Sequence, residues 1–204
     1  MPRRGTMIVA VLLAAAATTA TSALAQDVKT EAPAGQEGPQ WPAFRSVERG
    51  FEIAFPTMPK ATSVPVAGQN PLIRYSFEAY EGGDTIYRLV VLEYPTGNAP
   101  NPPGEALYVK MVSAYAKDSA SKIRRRGPKT IGGRAGFEAI TDDGKGKVNH
   151  LVTIVAAGDR IYMLVSAGPR GHATSDDAER FRKSFRVTES EPQTTGSTSA
   201  TPSP

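Results

Sequence analysis

The chain has 204 residues, 24 basic and 20 acidic, with 40% hydrophobic residues, no cysteine and a formal charge of +4. Without cysteine it can form no disulfide, thiolate metal site or thioether-linked haem, and it carries no lipidated cysteine, so any fold rests on its hydrophobic core alone. The near balance of charge, with no basic face interleaved with stacking or groove-reading residues, gives no reason to expect a nucleic-acid partner.

Arg3 and Arg4, the apolar run Met7 to Ala17, and Ala23-Leu24-Ala25 form the charged region, core and cleavage site of an export signal. Residues 1–25 are therefore expected to be removed, leaving Gln26 first and placing the protein in the periplasm or outside the cell. The run is shorter than the roughly 20 residues a membrane helix needs, so no transmembrane segment is expected after cleavage. Arg3 and Arg4 leave with it and no acid does, so the charge falls from +4 to +2. Residues 26–40 hold Val28 as their single large aliphatic and read as a disordered leader. Residues 189–204, rich in Ser, Thr and Pro, read as a disordered tail. Residues 41–188 remain as one domain, long enough to bury most of its unfolded surface.

Within the domain, Gly50 to Pro56 alternates with period two and ends at proline, a half-buried strand with Phe51, Ile53 and Phe55 on one face. Leu72–Tyr80 and Thr85–Tyr94 follow as strands joined by a glycine-containing hairpin connection, Glu81 to Asp84. The second is apolar on both faces, which predicts a central strand. A proline-rich loop, Pro95 to Pro103, leads to a helix whose apolar stripe runs through Leu107, Tyr108, Met111, Val112, Ala114 and Tyr115. Strands at Ser121–Ile131, Arg134–Asp142, Lys147–Ala157 and Arg160–Ala167 come next, with turn-forming joints that predict an antiparallel meander. A last helix, Ser175–Ser184, is expected with Thr174 as its cap and Asp177 reaching back, docked by Ala178, Phe181 and Phe185. The order of strands, helix, four strands and helix predicts an α+β fold, a central antiparallel sheet flanked by helices.

Several segments together resemble the small exported bacterial proteins of PsbP-like type. They are Trp41 and Phe44 ahead of Gly50-Phe51-Glu52-Ile53-Ala54-Phe55-Pro56-Thr57-Met58-Pro59, then Ile131 to Glu138, Arg160 to Val165, and Arg180 to Phe185. The resemblance implies a PsbP-like α+β sandwich and a non-enzymatic role. The wider fold group includes an extrinsic subunit of a photosynthetic membrane complex and a GTPase-binding import factor, and no residue motif here carries over either role.

Chemistry-bearing patterns are sparse. His150 and His172 are the two histidines, and neither belongs to a metal-ligand motif. His150 reads as a hydrogen-bonded or solvated strand residue. His172, in the loop Gly168 to Ala173, could join Arg170 and the start of the last helix in holding an anion, or could simply sit in a turn. No G-x-S-x-G elbow supplies a serine nucleophile. Asp142 to Lys147 has lysines where a calcium loop needs ligands and reads as a hairpin turn. Catalytic residues, cofactors and metals are therefore all expected to be absent.

The concentrated charge signal is Lys122-Ile123-Arg124-Arg125-Arg126-Gly127-Pro128-Lys129. In a regular strand Lys122, Arg124 and Arg126 would share a face at steps of about 6.5 to 7 Å. Such a strip could dock on an acidic envelope protein or an anionic surface. The reading favoured over docking is an edge strand guarded by charge against unwanted pairing. The seven tyrosines could line a pocket between helix and sheet or serve as core packing. The expected function is a non-enzymatic interaction or accessory module of the bacterial cell envelope. The alternatives are a carrier of a small hydrophobic or amphipathic ligand and an enzyme, which would need His150 and a carboxylate to meet in one cleft. The sequence sets no oligomeric state.

Overall fold

The alternating segments do form strands, and they pair into two sheets. The structure, a computed structural model, describes residues 40–66, 72–100 and 103–188. The expected signal at 1–25, the leader up to residue 39 and the tail at 189–204 lie outside the described residues. The elements are β1 (Ala43–Ser46), β2 (Phe51–Ala54), β3 (Lys60–Val66), β4 (Leu72–Glu81), β5 (Thr85–Glu93), α1 (Glu105–Asp118), β6 (Lys122–Ile131), β7 (Arg134–Asp142), β8 (Val148–Ala157), β9 (Arg160–Pro169), α2 (Asp176–Ser184) and β10 (Arg186–Val187). A single 3-10 turn, His172–Thr174, precedes α2.

The large sheet runs β3-β4-β5-β9-β8-β7-β6 and is antiparallel throughout. The expected meander is there, β6 through β9 in sequence, and β5 is an inner strand between β4 and β9. Gly132 and Gly133 turn the β6–β7 hairpin with φ of +54° and +80°, the left-handed pair that matches the twist of the flanking strands.

Because successive strand residues point to opposite faces, the large sheet feeds two cores. On one face Phe137, Ala139, Val152, Ile154, Ile161 and Val165 meet Tyr108 and Val112 of α1. On the other face Phe77, Tyr87, Leu89, Val91, Tyr162 and Leu164 meet Phe44, Phe51, Ile53, Phe55, Phe181 and Phe185. The first three of the latter group belong to a small sheet, β1-β2-β10.

That small sheet corrects the expectation of an α+β sandwich with a central sheet flanked by helices. The fold is mostly β, with a seven-stranded and a three-stranded sheet and two helices among the described residues. The reason is local. β10 has two residues, β1 has four, and Lys60 to Val66 of β3 shows neither apolar alternation nor freedom from proline, so none carries a legible period. These strands form because partners with stronger patterns, β2 and β4, offer them backbone hydrogen bonds.

α2 begins one residue away from the expected cap. Ser175, not Thr174, has extended backbone, and its Oγ accepts from the Ala178 N–H at 3.2 Å. At its other end Ser184 Oγ accepts from the Ala54 N–H at 3.0 Å, tying α2 to β2. Replacing Ser175 with Ala should cost about 1 kcal/mol in urea unfolding; an unchanged midpoint would mean that the cap contributes nothing.

Candidate functional site

Strand β6, which carries the basic run, is an outer strand of the large sheet. Its register with β7 shifts between Ile123 and Arg125, so Arg124 is the extra residue of a β-bulge. Paired residues share a face in an antiparallel sheet. Lys122 pairs with Asp142 and Arg125 with Ile140, on the face that meets α2, whereas Arg126 pairs with Ala139, on the face that meets α1. The bulge therefore parts Lys122 from Arg126, and the expected strip of Lys122, Arg124 and Arg126 on one face is corrected to two faces.

Arg124 is also committed to a neighbour. Its Nε donates to Asp142 Oδ2 and its Nη2 to Oδ1 at 3.1 Å, a two-point pairing. Those bonds hold the Asp142 carboxyl below its ordinary range, helped by the Gly144 N–H at 2.8 Å. Arg125 and Arg126 are exposed and have no ion pair among the described residues. With Lys122 and Lys129, which are likewise exposed and in no ion pair among the described residues, they are the cations of β6 that are free to meet a partner. Proline, charge and a bulge on one strand are also the features by which an outer strand avoids edge-to-edge pairing.

The histidines fall in two different places. His150 is buried, 8% exposed, with its Nδ1 2.6 Å from the Tyr115 hydroxyl. Burial pushes the Tyr115 phenol up to about 12 and pulls the imidazole below its usual range. The phenol therefore keeps its proton and donates to Nδ1, leaving the imidazole proton on Nε2. Asp142 and Asp143 influence His150 through space, and no carboxylate hydrogen-bonds to it among the described residues. His172 packs edge-on against Tyr87, ring centroids 5.7 Å apart, and against Gly168, where a Cβ would come within 2.7 Å of the ring. Its buried Nε2 has no hydrogen-bond partner among the described residues, and its Nδ1 lies 3.4 Å from Ser175 Oγ.

The tyrosines mostly pack or tie elements together. Tyr108 stacks on Phe137 at 6.1 Å, filling the space between α1 and the sheet near β7. Tyr162 donates to the Arg49 carbonyl at 2.8 Å, and Arg160 Nη2 donates to the Glu48 carbonyl at 2.8 Å, so β9 holds the β1–β2 turn.

A cleft of about 480 Å³ opens at the end of the large sheet, away from the α1 tyrosines. Its floor can be read from the registers. Ala157 of β8 pairs with Arg160 of β9, and Arg160 pairs with Glu93 of β5. Gly136 of β7 pairs with Val155, so two residues further on Arg134 stands beside Ala157. Arg134, Ala157, Arg160 and Glu93 thus form one row on one face, with Val187 and Thr188 at the end of β10 closing the cleft. Glu93 Oε1 accepts from both Nε and Nη2 of Arg160, at 3.1 and 2.8 Å. Sequence reasoning missed this site because its residues come from five separate strand ends. Glu93, Arg134, Ala157 and Arg160 were read only as strand residues and Asp159 as part of a turn.

Compared with solved structures, the chain aligns with the solution structure of cyanobacterial PsbP (CyanoP) from Synechocystis sp. PCC 6803. The TM-score is 0.51 at 12% identity, covering 76% of this chain and 98% of that one. A crystal structure from Bacteroides thetaiotaomicron VPI-5482 aligns at 0.35 and 12% identity over 72% of this chain and 48% of that one, too low a score to carry weight. No protein-family model and no curated protein matches the sequence. At such identity the first likeness speaks for fold alone, and at that level the resemblance read from the sequence stands: the chain shares the PsbP-like fold.

Proposed function

We propose that this is an exported, non-enzymatic interaction or accessory module of the bacterial cell envelope, docking on an acidic envelope protein or anionic surface through the outer strand β6. The observation that carries the reading is the pair of exposed, unpaired guanidinium groups at Arg125 and Arg126, one on each face of that strand. Charges placed this way flank the free edge above and below, so an acidic partner meets them whichever face it approaches. The signal pattern at Arg3, Arg4 and Ala23 to Ala25 supports the envelope location. Among the described residues no helix is long and apolar enough to cross a membrane.

In-cell crosslinking of the tagged protein with mass spectrometry of the captured material tests it. Arg125→Glu with Arg126→Glu should abolish capture while leaving the thermal midpoint unchanged, since neither side chain holds another element. Arg124 is left intact because its loss would strand Asp142. Capture undiminished in the double variant would remove β6 as the docking edge.

A further inference from the structure

The cleft at the end of the large sheet combines three features of a ligand site: a volume within the roughly 300 to 1,000 Å³ that small molecules occupy, a small apolar patch in a mostly polar lining, and charges that are not cancelled by one another. Ala157 and Val187, both packed on the core that α2 and the small sheet cover, supply its apolar patch. Of the charged groups, Arg160 and Glu93 neutralise each other through two hydrogen bonds. Arg134 is exposed and has no ion pair or hydrogen bond among the described residues. Asp159, in the β8–β9 turn, uses Oδ1 to accept the Gly97 N–H at 3.2 Å and has no cation partner among the described residues.

One free cation and one free anion therefore border the cleft that holds the Ala157 and Val187 patch. Arg134 stands one strand over from Ala157, and Asp159 lies two residues beyond Ala157, which separates their backbones by on the order of 8 Å. A simple anion would be attracted by one group and repelled by the other, and the same holds for a simple cation. A molecule bearing both charges at matching separation satisfies the two at once. Ala157, the small side chain between the flanking charged positions, leaves the room for its body.

We propose that this cleft binds a small zwitterion whose charges are separated by a short apolar chain, its carboxylate on Arg134 and its ammonium on Asp159. The proposal is independent of docking through β6, because the two sites share no residue.

The test is an NMR titration of the 15N-labelled full chain with 6-aminohexanoate, and with hexanoate and hexylamine as single-charge counterparts having the same number of carbons. The amides of Gly97, Gly158 and Thr188 report on the cleft. Saturable shifts at these amides are expected with 6-aminohexanoate, and each counterpart should bind at least about 10-fold more weakly. Arg134→Gln should lower 6-aminohexanoate to the affinity of hexylamine for the unaltered protein. Asp159→Asn keeps an Oδ1 for the Gly97 N–H and should lower it to that of hexanoate. No saturable shift at these amides with 6-aminohexanoate, equal affinity for the three probes, or unchanged binding in both variants would overturn the proposal.

Discussion

Phe181→Ala should destabilise the domain by about 3 to 5 kcal/mol. Phe181 is 1% exposed and its ring lies 5.3 Å from those of both Phe55 and Tyr87, so it joins α2 to β2 and to β5 at one point. α2 has nine residues, too few to be stable without tertiary packing. Ala178, the other buried residue of α2, is too small to hold it. The neighbours cannot collapse into the space left behind. Tyr87 is fixed by its hydroxyl donating to Glu81 at 3.1 Å and by Trp41 against its ring, and Phe55 sits at the end of β2 beside Phe44. A cavity that cannot close costs the lost transfer energy and the lost contacts together. Chemical unfolding should show the drop as a lower midpoint with unchanged slope. Phe181→Leu should lose less, because most of the volume remains. A midpoint for Phe181→Ala within about 0.5 kcal/mol of the parent would mean that α2 is not docked as described.

What could be read from the sequence divides along the same line. Phe51, Ile53 and Phe55, the apolar two-sided strand through Tyr87 to Val91, the α1 stripe and the four-strand meander were legible because burial imposes a period on them. The glycine turns were legible because left-handed backbone leaves few residue choices. β1, β3 and β10 were not, since their formation is decided by the partner strand rather than by their own side chains, and with them went the covering of the second face. The basic strand was legible in composition but not in geometry. One extra residue at Arg124 reverses the face of everything after it, and no periodicity announces a bulge. His172 read as a turn residue and does sit in one, but its burial against Gly168 and Tyr87 depends on strands far away in sequence. The cleft was invisible for a similar reason: Arg134 and Asp159 become neighbours only through the β7–β8 register.

Stability should fall as pH drops below about 6.5, the ordinary histidine value, before any carboxylate is protonated. Burial is the main cause of the depressed values of both His150 and His172. Around His150 stand Tyr115 of α1, Asp142 and Asp143 at the end of β7, and His172. Around His172 stand Asp177 of α2 and Glu81 and Asp84 of the β4–β5 connection. These carboxylates pull upward and do not overcome desolvation. A base whose folded value is depressed stays neutral in the folded state after the unfolded chain has taken its proton. The two states are alike above about 6.5, and the folded state loses ground between that value and its own lower one. With both histidines in that window the slope can approach about 2.7 kcal/mol per pH unit, twice the single-proton limit. A second loss follows at lower pH, as Asp142, Asp143 and Glu179, all held below their ordinary values, are protonated. Unfolding free energies measured from pH 7.5 to 5 should therefore decline. His172→Phe keeps a ring against Tyr87 and removes the unpartnered Nε2, so it should remove part of the slope without weakening the protein at pH 7.5. His150→Gln should remove another part, at some cost at pH 7.5 because Tyr115 loses its acceptor geometry. A flat profile in the parent, or an undiminished slope in the double variant, would show that these two rings are not what the acid reaches first.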